Sequence, residues 1–404
     1  YNMNILFLTM SSSMQNIEDR GIYTDLMRKF RDEGHEVYII YPLERRMGLY
    51  TEVTVKNHMH LLGVKTLNLT KTNIIEKGMG QVLLEYQFKV ALKRYFGTVK
   101  FDLILYSTPP ITFTKVIRYA KKHNPGALSY LMLKDIFPQN AVDLDMFSKS
   151  SFYYKIFRKK EKRLYEISDF IGCMSPANVN FVLKHNPEVD ASKMEICPNA
   201  IEVINQQRVD RRNAILQRLQ LPMDKVMLIY GGNLGKPQGV DFLLEVIEEN
   251  EKRKDTHIVV VGNGTEYQRI KLWFDEKYLQ HATLISHLPR ADYDELVRSC
   301  DIGMIFLDKR FTIPNYPSRL LSYLENKMPV LMATDLNTDI GSIAERNGYG
   351  MWTESGSIVA FMNMIDEVAT DKFLLKEMGE KGYRFLKDNY TVAHAYGIIM
   401  KHLQ

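Results

Sequence analysis

The chain has 404 residues, 45% of them apolar and 25% charged, with a formal net charge of +5. That length and balance exclude a disulfide-stapled mini-protein, a disordered tract and a fibrous repeat, and leave room for two or three domains. No run approaches the roughly 18 consecutive apolar residues of a bilayer span, and no basic segment leads into a short apolar core near the start, so a cytoplasmic chain is expected.

In chain order, the first half shows short β-rich runs at Asn4–Thr9, Glu36–Tyr41, Leu103–Tyr106, Ser129–Leu133 and Phe170–Met174. Between the first two, Tyr23, Leu26, Met27 and Phe30 follow helical spacing and Gly34 marks the end, which makes a βαβ unit. The series restarts after Pro198 with Val226–Tyr230, Thr256–Val261, Ala282–Ser286, Asp301–Phe306 and Val330–Ala333, each followed by a helical stretch. The fold class is therefore α/β, with two doubly wound Rossmann-like domains. Ligands of such sheets bind beyond the carboxyl ends of the strands, so a central cleft faced by both domains is the expected site.

The charge is uneven. Residues 1–200 hold 28 Lys and Arg against 20 Asp and Glu, and residues 201–404 hold 25 against 28. Much of the basic excess lies in Lys149–Arg163, where Phe152, Tyr153, Ile156 and Phe157 interleave with cations. The favoured reading is a helix with a core-facing apolar stripe and a solvated opposite face. The sharper one is peripheral contact with an anionic membrane or a lipid-linked acceptor. No nucleic-acid module accompanies the charge. Cys173, Cys197 and Cys300 are far apart and form no CxxC pair, so neither a disulfide framework nor a zinc site is expected.

Two glycine-rich turns follow strands of the second half: GGNLGKPQG at 231–239, and Gly262-Asn263-Gly264. Glycines let backbone approach a phosphate, and amides at a helix start favour an anion. The first turn is not a Walker A loop, because Pro237 follows Gly235-Lys236 where a Ser or Thr would hold magnesium, nor does it read GxGxxG. A tight structural turn is the competing reading. Asp143 and Asp145 have the DxD spacing of a metal–diphosphate clamp but follow no strong strand, and are discounted.

With these turns, RGIYTDLMRKFRDEGHEVYIIYP (20–42), LMLKDIFPQ (131–139), EKRLYEISDFIGCMSP (161–176), KMEICPNAIEV (193–203), VVVGNGTE and NYPSRLLSYLENKMPVLMA (315–333) occur in one order along the chain. In that order they resemble the retaining GT-B glycosyltransferases of family 4 (group 1), within it the group similar to N-acetyl-fucosamine transferases of bacterial polysaccharide synthesis. The resemblance implies the GT-B fold, with an acceptor-binding domain at 1–200 onto which 388–404 packs back, and a nucleotide-sugar-binding domain at 201–387. It implies transfer of a sugar, with retention, from a nucleotide donor (a UDP-sugar by preference) to a saccharide or lipid-linked saccharide. No metal is required, and the protein would work in the cytoplasm or on the inner face of the cell membrane.

Residue by residue, the resemblance makes Gly232, Asn233, Gly235, Gly262, Asn263 and Gly264 donor-binding, with Gly21 next to the donor sugar. Lys236 and Arg319 are the cations for the leaving diphosphate, and Pro317 and Ser318 open the helix before it. Where the family carries Arg and Lys in the first turn this chain has Asn233 and Gln238, and its two glutamates are Pro314 and Ser322. Glu325, one helical turn after Ser322, is the possible substitute at the ribose. On the acceptor side, Asp135 is a candidate base or a turn cap, and Ser107 and Thr108 are candidate lining residues; His35 reads as structural, and His287 as a weak donor-side candidate. Two other function classes compete: a GT-B-like nucleotide-sugar epimerase, and a non-catalytic nucleotide-binding scaffold, the latter favoured by the missing glutamates.

Overall fold

The computed structural model describes residues 1–204 and 212–404. They divide into two compact units, Tyr1–Glu202 with Thr391–Gln404, and Val203–Tyr390.

In the first unit the strands are β1 (Asn4–Leu8), β2 (Glu36–Glu44), β3 (Glu52–Lys56), β4 (Met59–Thr66), β5 (Leu103–Ser107), β6 (Leu128–Leu133), β7 (Phe170–Cys173) and β8 (Met194–Ile196). Their order in the sheet is β3-β4-β2-β1-β5-β6-β7-β8, parallel except for the β3–β4 hairpin. The centre of the sheet is apolar in a continuous run, with Ile5 to Leu8 fully buried, as parallel strands covered on both faces require. β1 aligns Ile5 with Val37 on one side and with Leu103 on the other. The β3–β4 hairpin turns at Asn57 and His58, both with positive φ (46° and 61°), the backbone of a two-residue turn matched to strand twist. This hairpin and β8 were not visible as strands in the sequence: β3 is mostly exposed and charged, and β8 has three residues.

On one face of that sheet the helices Ile22–Asp32 and Val392–Met400 pack together over Ile5, Phe7, Val37, Ile39, Leu103 and Leu105. The Tyr396 and Phe30 rings lie edge to face at 5.0 Å, and the Tyr396 hydroxyl meets His35 Nε2 at 2.8 Å. His35 Nδ1 accepts the Met3 amide at 3.1 Å, so this histidine ties strand, turn and closing helix together. Side chains alternate across a strand, so Leu6, Leu8, Ile104 and Tyr106 point to the other face. There the helices Ile74–Phe96, Thr114–His123 and Phe152–Ile167 form the covering layer, and the Tyr106 hydroxyl bonds Ser168 at 2.7 Å.

In the second unit the strands are β9 (Val226–Gly231), β10 (Thr256–Val261), β11 (Ala282–Ile285), β12 (Ile302–Phe306), β13 (Val330–Thr334) and β14 (Gly350–Glu354). They lie in the all-parallel order β11-β10-β9-β12-β13-β14. The order reverses direction at β9, and the carboxyl end of β9 is the kind of switch point where doubly wound sheets place a ligand. Leu228, Tyr230, Val260, Met304, Phe306, Phe361 and the inner face of Val240–Asn250 make the core beneath it.

Candidate functional site

β9 ends at Gly231, and its next residue, Gly232, has φ +136°, a conformation that favours glycine. A Cβ at Gly232 would stand 3.0 Å from Arg319 Nη2. A Cβ at Gly231 would stand 2.0 Å from the Tyr293 hydroxyl. The glycines after β9 thus leave room for the guanidinium of Arg319, the first residue of the helix Arg319–Glu325, and for the phenol of Tyr293, on the helix Arg290–Ser299. The turns 231–239 and 262–264 also touch backbone to backbone. A Cβ at Gly262 would lie 1.8 Å from the Gly232 carbonyl, and one at Gly264 2.5 Å from the Leu234 carbonyl. The Leu234 amide donates to the Asn263 carbonyl at 3.0 Å. The two turns and the start of the helix at 319 form one construction.

Arg319 is its chemical centre. Its guanidinium is largely buried, stacks over the Tyr230 ring at 4.8 Å, and leaves Nη1 without a hydrogen-bond partner. Among the described residues no carboxylate pairs with it. Its neighbours are phenols. Desolvation pushes Tyr293 up to about 12 and holds Tyr230 and Tyr323 above their ordinary value, so all three stay neutral and supply no counter-charge. The Tyr323 hydroxyl donates to the Met304 carbonyl at 3.1 Å and accepts the Gly231 amide at 3.4 Å, which fixes the helix to the strand end. Sequence reasoning missed this tyrosine cage. Its members come from three different elements, and nothing in the sequence joins them into one cluster.

Other donor-side candidates lie in the same construction but not all in the posture expected of them. The Gly232 amide bonds the Val261 carbonyl at 3.0 Å, and the Gly235 amide bonds Gln238 Oε1 at 3.1 Å. Both are used within the unit, whereas among the described residues the Asn233 amide makes no hydrogen bond. Gln238 closes the turn, and also takes Asn233 Nδ2 at 3.2 Å. Lys236 is exposed in the turn Lys236–Gln238. Asn263 Oδ1 accepts the Gly264 amide at 2.8 Å. Pro317 and Ser318 precede the helix, and Ser318 is exposed and makes no side-chain cap bond. Ser322 is half-buried and its carbonyl accepts Asn326 Nδ2 at 2.7 Å. Glu325 Oε2 accepts the Ile204 amide at 3.4 Å, so this carboxylate is engaged with the backbone at the start of its unit. His287 is exposed beyond β11.

In the first unit, Ser107 ends β5, and Thr108 follows it. The Thr108 hydroxyl accepts the Lys134 amide at 2.9 Å and the Asp135 amide at 3.3 Å just after β6. Asp135 Oδ1 is buried without a partner, and desolvation lifts its carboxyl from 3.8 to about 6. Tyr23, on the first helix, lies close enough to Ser107 and Asp135 to feel both, and its phenol is pushed up to about 12 by burial. The sequence placed Ser107, Thr108 and Asp135 in this cluster, and did not reveal Tyr23. Gly21 stands in extended backbone ahead of that helix, its amide bonded to Asp25 Oδ1 at 3.1 Å.

Asp143 ends the short helix Gln139–Asp143 and accepts Gln139 Nε2 at 2.9 Å, while Asp145 has φ +58°, so the two do not extend from one strand. Among the described residues no group of three or more His, Cys, Asp or Glu is placed to hold a metal ion. In the basic helix, the core-facing stripe forms only in part: Phe152 is 73% exposed, Tyr153 66% and Ile156 36%, whereas Phe157 packs on the Phe137 ring at 5.1 Å and Leu164 and Tyr165 are buried. Among the described residues no helix is long and apolar enough to cross a membrane.

Residues 211–385 match the family model described as "Glycosyl transferases group 1". The protein of Pseudomonas aeruginosa described as "Probable glycosyltransferase WbjE" is 23% identical over 327 residues, covering 80% of this chain and 78% of that one. Anabaena HepE, solved in complex with UDP, superimposes with a TM-score of 0.71 at 14% identity over 99% of both chains. WaaG, described as a glycosyltransferase involved in lipopolysaccharide biosynthesis, gives a TM-score of 0.64 at 13% identity over 98% of both. Residues 211–385 are thus similar to the glycosyl transferases of group 1, and the two Rossmann-like units are those of the GT-B fold.

Proposed function

We propose that the protein transfers a sugar, with retention of anomeric configuration, from a nucleoside-diphosphate donor, most simply a UDP-sugar, to a saccharide or lipid-linked saccharide in the building of a surface polysaccharide. The observation that carries this reading is the buried Arg319 guanidinium without an anionic partner beneath a glycine turn. An uncompensated charge in such a place costs several kcal/mol and is retained where an anion completes it. As the bond from sugar to diphosphate breaks, charge accumulates on the β-phosphate. A fixed cation aimed at that oxygen lowers the barrier without reorganising at the moment of reaction. The Asn233 amide is a second donor in the same turn, and Lys236 is an exposed cation able to swing toward a bound diphosphate. HepE's complex with UDP supports the choice of nucleotide, and WaaG's lipopolysaccharide role supports the polysaccharide context.

On the acceptor side, Asp135 is the proposed base or orienting group for the attacking hydroxyl, with Ser107 and Thr108 beside it. Ser322, where the family carries glutamate, meets the ribose with a hydroxyl rather than a carboxylate, while Glu325 braces the start of its own unit. The test is titration of UDP into the protein in the presence of a metal chelator, followed by incubation with UDP-sugars and candidate saccharides. UDP binding and acceptor-dependent UDP release support the reading, and product NMR reads the anomeric configuration. Absence of UDP binding contradicts it.

A further inference from the structure

Building on the donor reading just given, we infer that the Tyr293 hydroxyl is a second ligand of the donor's terminal phosphate, a neutral hydrogen-bond donor beside the Arg319 guanidinium. The phenol tip fills the space of a side chain at Gly231: a Cβ there would stand 2.9 Å from Tyr293 Cζ and nearer still to its hydroxyl. Arg319 Nη2 fills the corresponding space at Gly232. The two groups therefore stand over consecutive residues of one turn, at the carboxyl end of β9 where the sheet order reverses.

Three phenols surround Arg319, and their hydroxyls are not equivalent. Tyr230 is fully buried, and its hydroxyl donates to the Asn233 carbonyl at 2.7 Å. Tyr323 is buried too, and its hydroxyl donates to the Met304 carbonyl at 3.1 Å while accepting the Gly231 amide at 3.4 Å. Both are committed to holding the turn and the helix Arg319–Glu325 in place. Tyr293 is half-buried, and among the described residues its hydroxyl makes no hydrogen bond. Packing alone asks for the ring and not for the oxygen: a phenylalanine would cover Gly231 equally well without withdrawing a hydroxyl from water. The polar tip kept there, unpaired and next to an unpaired cation, is placed for a ligand that accepts from both.

That ligand is an anion with several oxygens in one group, as a terminal phosphate has. A second cation at this depth would have to be desolvated, whereas a phenol donates without adding charge. Burial pushes the Tyr293 phenol up to about 12, so it keeps its proton beside a phosphate and stays a donor at neutral pH. As the bond from sugar to diphosphate breaks, the oxygens of that phosphate gain charge. The hydrogen bond from Tyr293 then strengthens, with no proton leaving the tyrosine.

The experiment is calorimetric titration of UDP and of UMP into the full chain and into Tyr293→Phe, which keeps the ring and removes only the hydroxyl. Thermal unfolding of the variant establishes that it is folded. The expected result is UDP affinity lower by roughly 10-fold in the variant, with UMP affinity unchanged, because UMP lacks the terminal phosphate. A second measurement needs no deletion: with 3-fluorotyrosine at position 293, the fluorine resonance shifts on adding UDP and not on adding UMP. Wild-type UDP binding that the folded variant retains in full overturns this assignment and leaves the proposed function standing. An equal loss of UDP and UMP affinity, or a fluorine resonance that answers both nucleotides alike, also overturns it, since Tyr293 would then be a wall of the pocket and not a ligand of the terminal phosphate. A wild-type chain that binds neither nucleotide overturns the donor reading itself, and this assignment with it.

Discussion

Arg319 holds a charge among three neutral phenols, and that imbalance separates a ligand-binding role from a structural one. A structural guanidinium lost from a core leaves a hole and destabilises; one held for a ligand is a strain on the empty protein. Arg319→Met keeps the volume and removes the charge. The expected outcome is an unfolding temperature equal to or above wild type, with kcat/KM for the sugar donor lower by about 2–4 kcal/mol in transition-state terms. Asp135 supplies a second test. Its carboxyl is protonated below about 6 and ionised above, so a base acting there makes kcat/KM fall as pH falls through about 6. Asp135→Asn should remove that acidic limb along with most of the rate. A pH profile unchanged by the substitution would leave Asp135 as a cap on its turn. Gly235 and Gln238 show what the sequence could not convey: the glycine pattern was legible, but which amides point outward depends on whether a neighbouring side chain has already taken them.

Among the elements, the two glycine turns of the second unit depend on each other more than on their own strands. Gly262 tolerates no Cβ because the Gly232 carbonyl fills that space. Gly262→Ala should destabilise the second unit by about 1–3 kcal/mol in urea titration and weaken UDP binding with it. As a control, Gly397→Ala lies in a helix with nothing within 4 Å of the added methyl and should be neutral or stabilising by about 0.5–1 kcal/mol. Equal effects of the two substitutions would refute the close approach. The core strands were readable because parallel strands buried on both faces are continuous apolar runs, as at Ile5–Leu8 and Ile258–Val261. The β3–β4 hairpin was not, since its outer strand is exposed and charged and its Asn57-His58 turn lacks glycine. The tyrosine cage was illegible for a different reason: Tyr230, Tyr293 and Tyr323 lie tens of residues apart, and only the sheet order joins them.

Across the whole molecule, the chain leaves the first unit after Glu202 and rejoins it at Thr391. The returning segment is bonded at both ends: Val392 donates to the Ile201 carbonyl at 3.0 Å, and His402 reaches Glu195 at 3.0 Å and stacks on Phe170 at 3.7 Å. Removing residues 391–404 should therefore speed hydrogen exchange in Ile22–Asp32 and in β1 while leaving β9 and β10 protected. Unchanged exchange in the first unit would contradict this dependence. The reading of the donor side meets its most direct test in one calorimetric comparison, UDP titrated into the wild-type protein and into Arg319→Met. The account predicts measurable wild-type binding that weakens about 30-fold or more in the variant, corresponding to at least ~2 kcal/mol. Equal affinity in the two proteins would contradict it.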